Sequence, residues 1–139
     1  MKAITLWQPW ATMIALGHKT VETRTHDRFQ CLVGQRIAIH AAKKYDKDAF
    51  EIMVQHGFSP LHSLLAQGLV PRGAVVATAV VSGGMWGRKN LMSAPLYRQW
   101  CRDALCDVAG RFCLHLSKIE PLNPPIPATG HQAIWEWNG

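Results

Sequence analysis

Charge is scarce in this sequence. Only 17% of its 139 residues are Asp, Glu, Lys or Arg, a low share for a globular protein. Acidic residues are the scarcer kind: 9 Asp and Glu stand against 15 Lys and Arg, for a formal net charge of +6. A basic chain attracts anions at long range, and nucleic acid is the commonest such partner. Long hydrophobic runs are also missing. No window approaches 18 apolar residues, so no membrane span is expected. The start, Met1 to Pro9, has neither an apolar signal region nor a cleavage site. The four cysteines, Cys31, Cys101, Cys106 and Cys113, form no C-x-x-C pair. Free thiols in a reducing cytoplasm are the simplest reading. There is no Gly-rich phosphate loop, which argues against ATP or dinucleotide chemistry. Cys101, Cys106, Cys113 and His115 are spaced more widely than a structural zinc site requires. His18, His26, His56, His62 and His131 follow no H-x-x-x-H pattern. No metal and no cofactor are expected, and there are no repeats.

What is present is a substantial core. The hydrophobic share is 48%, enough at this length for one domain over residues 1–139 without staples. Residues 3–7 read as a short strand. A helix over about 9–16 follows, with Pro9 at its first position and Gly17 as its stop. Residues 20–25 alternate as a strand, and so do 35–42, with Ile37, Ile39 and Ala41 on one face and Arg36, Ala38 and His40 on the other. Residues 46–56 read as a helix with Phe50, Ile52, Met53 and Val54 as its apolar positions and Asp46 as a cap. A second short helix is expected at 60–67. Residues 73–82 are the strongest strand, β-favouring throughout and covered on both faces. Gly83-Gly84 reads as a turn or hinge. A helix over 95–106 carries Leu96, Trp100 and Leu105. A strand over 111–119 places Phe112, Leu114 and Leu116 on one side. Pro121, Pro124, Pro125 and Pro127 make a stiff extended segment, and 134–137 is a short aromatic element. Several strands with short helices between them give an α+β fold, a small barrel-like sheet with flanking helices.

The cluster Gly17-His18-Lys19-Thr20-Val21-Glu22-Thr23-Arg24 needs a physical reason. On a strand, Thr20, Glu22 and Arg24 share one face, with Glu22 and Arg24 about 7 Å apart. One acid between two bases can grip an anion and hold a carboxylate in place; the same residues can also form a plain ion-pair stripe. His40, Lys43 and Lys44 close the 35–42 strand with a donor-rich end. RNA cleavage needs a base and an acid. His40 or Glu22 is a candidate base, and Lys19, Lys43 or Arg24 a candidate stabiliser of phosphorane charge. Arg111 can reach a phosphate or make a structural ion pair. The basic loop Trp86 to Asn90 can stack a base or be a simple turn. Among the tryptophans, Trp7, Trp100 and Trp137 read as core, and Trp10 as a candidate cleft wall.

At these residues the sequence resembles the ASCH domain family of the PUA-like superfamily. The Gly17-x-Lys19-x-x-Glu22-x-Arg24 pattern is similar to that family's signature. Leu6 to Ala11, Ile37 to Lys43, Arg72 to Ala77, Gly110 to Phe112 and Gly130 to Trp135 also look like bacterial and phage members, so the resemblance covers nearly the whole chain. It implies a β-barrel with a cleft lined by the signature residues, and RNA-related work. The expected ligand is RNA, DNA or a nucleotide, held by Trp10, Lys19, Glu22, Arg24, Lys43 and Arg111. Some members are similar to ribonucleases, which would here use Lys19, Glu22 and His40 without metal. One branch resembles an amidohydrolase acting on acetylated cytidine. That branch has a catalytic Thr where this chain has Glu22, and needs a Glu on a later strand, whereas residues 73–82 contain no acid.

Overall fold

A computed structural model describes residues 1–58 and 70–139; the helix expected at 60–67 lies outside the described residues. The elements run β1 (Lys2–Gln8), α1 (Trp10–Ala15), β2 (Val21–Arg24), a 3₁₀ turn (Arg28–Leu32), β3 (Arg36–Tyr45), α2 (Ala49–Gln55), β4 (Ala74–Trp86), α3 (Ala94–Ala104), β5 (Phe112–Pro127) and β6 (Trp135–Glu136). The strands form one six-stranded sheet in the order β2-β5-β4-β3-β1-β6. Among the described residues only β1 and β3 run parallel; the other pairs are antiparallel. The fold is α+β. The sheet is not closed, but it curls as a barrel does: Arg24 on the first strand of the order and Thr5 and Trp7 on the fifth line one cavity.

Period-two alternation builds the core. Ile37, Ile39 and Ala41 of β3 face a common cluster with Ile4 and Leu6 of β1 and Phe112, Leu114 and Leu116 of β5. Helix α1 closes this cluster with Ala11 and Ile14. The opposite face of β3 sends Ala38 into a second cluster with Ala3 and Val75, under Trp135 and Trp137. Helix α3 packs Ala104 with Val108 on Val21 and Cys113. Among the described residues no helix is long and apolar enough to cross a membrane, and all four cysteines are free.

Several local expectations are corrected. Gly83-Gly84 is not a turn: β4 continues through it to Trp86, paired with His115 and Leu114 of β5. Glycine is needed at Gly84 for packing, because a Cβ there would lie 2.8 Å from the Phe112 ring and 2.9 Å from Gln30 Oε1. The proline-rich segment is extended, as expected, but it belongs to β5. Pro121 pairs with Ala77 and Pro127 with Ala74, and a register shift absorbs the residues between. In α2 the buried positions are Ala49 and Met53, while Phe50 and Val54 are exposed. The helix starts after Asp48 rather than at Asp46. Trp86 does not project from a free loop; its ring meets Phe112 edge-on.

Candidate functional site

Helix α1 stops at Gly17, whose φ of +81° suits a residue without Cβ. The backbone N–H of Lys19 turns back to the Met13 carbonyl at 3.1 Å, which sends the Lys19 side chain inward. Lys19 is only 4% exposed. Its Nζ donates to the carbonyl of Ala104, the last residue of α3. A helix C-terminus carries unpaired carbonyls and partial negative charge, so it receives an ammonium favourably. The same Nζ lies 3.8 Å from Glu22 Oε1 and 5.8 Å from the centre of the Trp10 ring.

Glu22 is the centre of the cluster. Its Oε1 accepts from the Thr23 N–H at 3.0 Å, and its Oε2 lies 3.3 Å from Arg24 Nη2. The Arg24 guanidinium stacks over Phe29 at 4.8 Å, and its buried Nε has no partner among the described residues. Lys19, Glu22 and Arg24 thus form one chain of charge across the start of β2.

Two cavities lie on either side of that chain. The smaller, about 340 Å³, is lined by Trp10, Lys19, Glu22 and Arg111 together with Thr23, Asp46, Cys106 and Asp107. Trp10 is oriented by its indole N–H, which donates to Asp46 Oδ2 at 2.9 Å; the other carboxylate oxygen accepts from the Asp48 N–H at 3.0 Å. Arg111 donates through Nε to Thr23 Oγ1 at 2.7 Å. Nearby, burial pushes the Cys113 thiol up to about 11, so it stays protonated and unreactive near neutrality.

The larger cavity, about 950 Å³, takes the remaining expected residues, Arg24, His40 and Lys43. Thr5 of β1 pairs in register with His40 of β3, and these two with Trp7 and Ala42 line its sheet side. The end of β5 at Pro127 and the irregular residues 128–133 form the facing wall. His40 is 2% exposed, with Nε2 at 2.8 Å from the Ala128 carbonyl. A carbonyl only accepts, so Nε2 is the donor of this bond and Nδ1 is the ring nitrogen not engaged in it. That Nδ1 is buried and has no partner among the described residues. The structure therefore brings Lys19, Glu22, Trp10 and Arg111 together, and separately Arg24, His40 and Lys43; His40 does not share the cavity of Lys19.

Sequence reasoning missed Thr5, Trp7 and the Pro127–Ala133 wall. Trp7, expected in the core, is 48% exposed, with Lys44 Nζ 4.0 Å over its ring. The signal was available: alternation along 3–7 sets Thr5 and Trp7 opposite the buried Ile4 and Leu6. The wall gave no such signal, since irregular chain has no period. Among the described residues no group of three or more His, Cys, Asp or Glu is arranged to hold a metal ion.

The ASCH domain model matches residues 4–123. The fold is similar to crystal structures of the ASCH protein from Zymomonas mobilis. The unmutated protein gives a TM-score of 0.53 at 19% identity, over 99% of this chain and 87% of that one. Two mutant proteins give 0.55 at 19% and 0.54 at 18% identity, over 99% of this chain and 88% and 90% of theirs. At that identity the likeness is one of fold. Comparison with curated proteins finds no match.

Proposed function

The chain belongs to the ASCH domain family, and from that premise we propose that it is an RNA- or nucleotide-binding protein whose basic cleft lies around the Gly17–Arg24 motif. ASCH domains are PUA-like and bind RNA as a class. The observation that carries the reading is the pair of buried atoms without a partner among the described residues, Arg24 Nε and His40 Nδ1, on residues that line one cavity with Lys43. A buried polar group without a partner costs about 1–3 kcal/mol. A ligand that meets these groups relieves that cost, and the net charge of +6 draws an anionic one. DNA satisfies the same electrostatics, and the 2′-hydroxyl is what distinguishes the two.

The test is fluorescence anisotropy of a labelled single-stranded RNA across a salt series. Affinity is expected to fall as salt rises, with a slope of roughly −0.7 for each phosphate contact. Lys43→Ala is expected to shallow that slope by about one contact. An affinity indifferent to salt would overturn the reading.

A second reading, metal-independent RNA cleavage, draws on His40, whose Nδ1 has no hydrogen-bond partner among the described residues. His40 Nδ1 would accept a proton, while Lys19 and Glu22 hold the charge chain that fixes Arg24. It expects cleavage in chelator that disappears in His40→Gln. Cleavage surviving both that change and Lys19→Ala would remove it. The amidohydrolase reading lacks such support: Glu22 replaces the Thr, and β4 from Ala74 to Trp86 contains no acid.

A further inference from the structure

The larger cavity holds an unusual feature for a sheet face. Trp7 is half exposed, while Ile4 and Leu6 on the opposite face of its strand are buried. Its indole is fixed on one face by the Lys44 ammonium, 4.0 Å from the ring centre. A cation held over an aromatic face fixes the ring's orientation and adds positive potential beside it. The cavity also has a donor-rich side. The backbone N–H groups of Thr129, Gly130, His131 and Gln132, consecutive in the wall, donate no hydrogen bond among the described residues. These four residues line the same cavity as Arg24 and Lys43. Consecutive free N–H groups beside cations are the usual surroundings of a bound phosphate.

We propose that this cavity is a subsite for one unpaired nucleotide, with Trp7 as the platform for its base and the Arg24–Lys43 rim and the Thr129–Gln132 backbone as the seat of its phosphate. The proposal deepens the nucleic-acid reading and rests on it. Volume leaves ample room for such a unit: about 950 Å³ lies at the upper end of small-ligand sites. Chemistry supports an unpaired base, because a base can stack on a side chain only once it has left its own helix. With His40 Nε2 donating to the Ala128 carbonyl, the imidazole ring ties the sheet side of the cavity to the wall.

The test is calorimetric titration of the intact protein with nucleoside 5′-monophosphates, the matching nucleosides, inorganic phosphate, and one oligoribonucleotide as single strand and as duplex. Monophosphates are expected to bind more tightly than nucleosides, and single strand more tightly than duplex. Trp7→Leu should weaken monophosphate and single-strand binding roughly ten-fold. Trp7→Phe should keep most of it while losing the quenching of tryptophan fluorescence by the nucleotide, which decides the matter even if Trp7→Leu does not fold. Lys43→Ala should bring the monophosphate towards the affinity of its nucleoside. Single-strand binding unchanged in a folded Trp7→Leu protein would overturn the subsite and leave the RNA reading standing. So would duplex binding equal to single strand, or inorganic phosphate matching the monophosphate. An intact protein that binds neither form of RNA and no nucleotide would overturn both.

Discussion

Glu22 holds two cations whose own positions are fixed by other groups. Lys19 is also tied to the Ala104 carbonyl and Arg24 is also stacked on Phe29, contacts that do not involve position 22. Replacing Glu22 by Ala therefore leaves an ammonium with 5% side-chain exposure and a guanidinium with 27% exposure facing each other without a counter-charge. Breaking a buried ion pair by removing one partner costs roughly 3–5 kcal/mol, and the exposure of Arg24 places this case near 3. Lys19→Ala is milder, about 1–3 kcal/mol, because it strands one carbonyl while Glu22 keeps Arg24. Urea midpoints should fall in the order wild type, Lys19→Ala, Glu22→Ala. A Glu22→Ala protein as stable as Lys19→Ala would mean that the carboxylate is not what holds the cluster. The same geometry separates the two uses of this motif that its sequence left open. It is an ion-paired stripe by its contacts, yet one end of the stripe opens on each cavity.

At the scale of elements, the strands were legible where alternation divided their residues between two faces. Ile37, Ile39 and Ala41 turned to the main core and His40 to the opposite face, where it too is buried, because side chains alternate along a strand. Legibility ended where a residue's reason lay far along the chain. Gly83-Gly84 has the local composition of a turn, but its role is set by Phe112 on the partner strand. Trp7 has the composition of a core residue, but its face looks into a cavity that only the curl of the sheet creates. Gly87 makes the same point as a prediction. It lies just beyond β4, where its N–H meets the Arg111 carbonyl at 2.8 Å. A Cβ at Gly87 would lie 2.0 Å from the Val108 carbonyl oxygen, and backbone cannot step aside as a side chain can. Gly17→Ala meets nothing within 4 Å and faces only the strain of φ +81°, about 1 kcal/mol. Gly87→Ala should cost at least the 1–3 kcal/mol of an overpacked core, and thermal melts of the two variants should separate accordingly. Equal melting temperatures would mean that the β4–α3 connection yields freely.

At the scale of the whole molecule, the site depends on contacts that no single segment encodes. The charged cluster was legible because buried charge needs a partner, and Lys19, Glu22 and Arg24 supply partners to one another within a few residues. The division of the expected residues between two cavities was not, since it follows from β2 and β1 approaching across the curled sheet. The larger cavity also needs its irregular wall, held to the sheet at few points. The Ala128 N–H reaches the Gly73 carbonyl at 3.1 Å, and the Ala128 carbonyl receives His40. Between wall and floor sits Gly130, at which a Cβ would lie 2.4 Å from His40 Cε1, 2.5 Å from its Nδ1 and 2.9 Å from Thr5 Oγ1. Gly130→Ala must therefore push the wall outward or turn the imidazole away from Ala128. Neither movement enters the main core, whose residues come from other parts of the chain. The expected result is a modest loss of stability, about 1–2 kcal/mol, with a larger loss of RNA affinity, because wall and floor must stay in register to act on one ligand. Parallel urea melts and anisotropy titrations of this variant check it. A fall in stability with affinity intact would show that the wall shapes the fold but takes no part in binding.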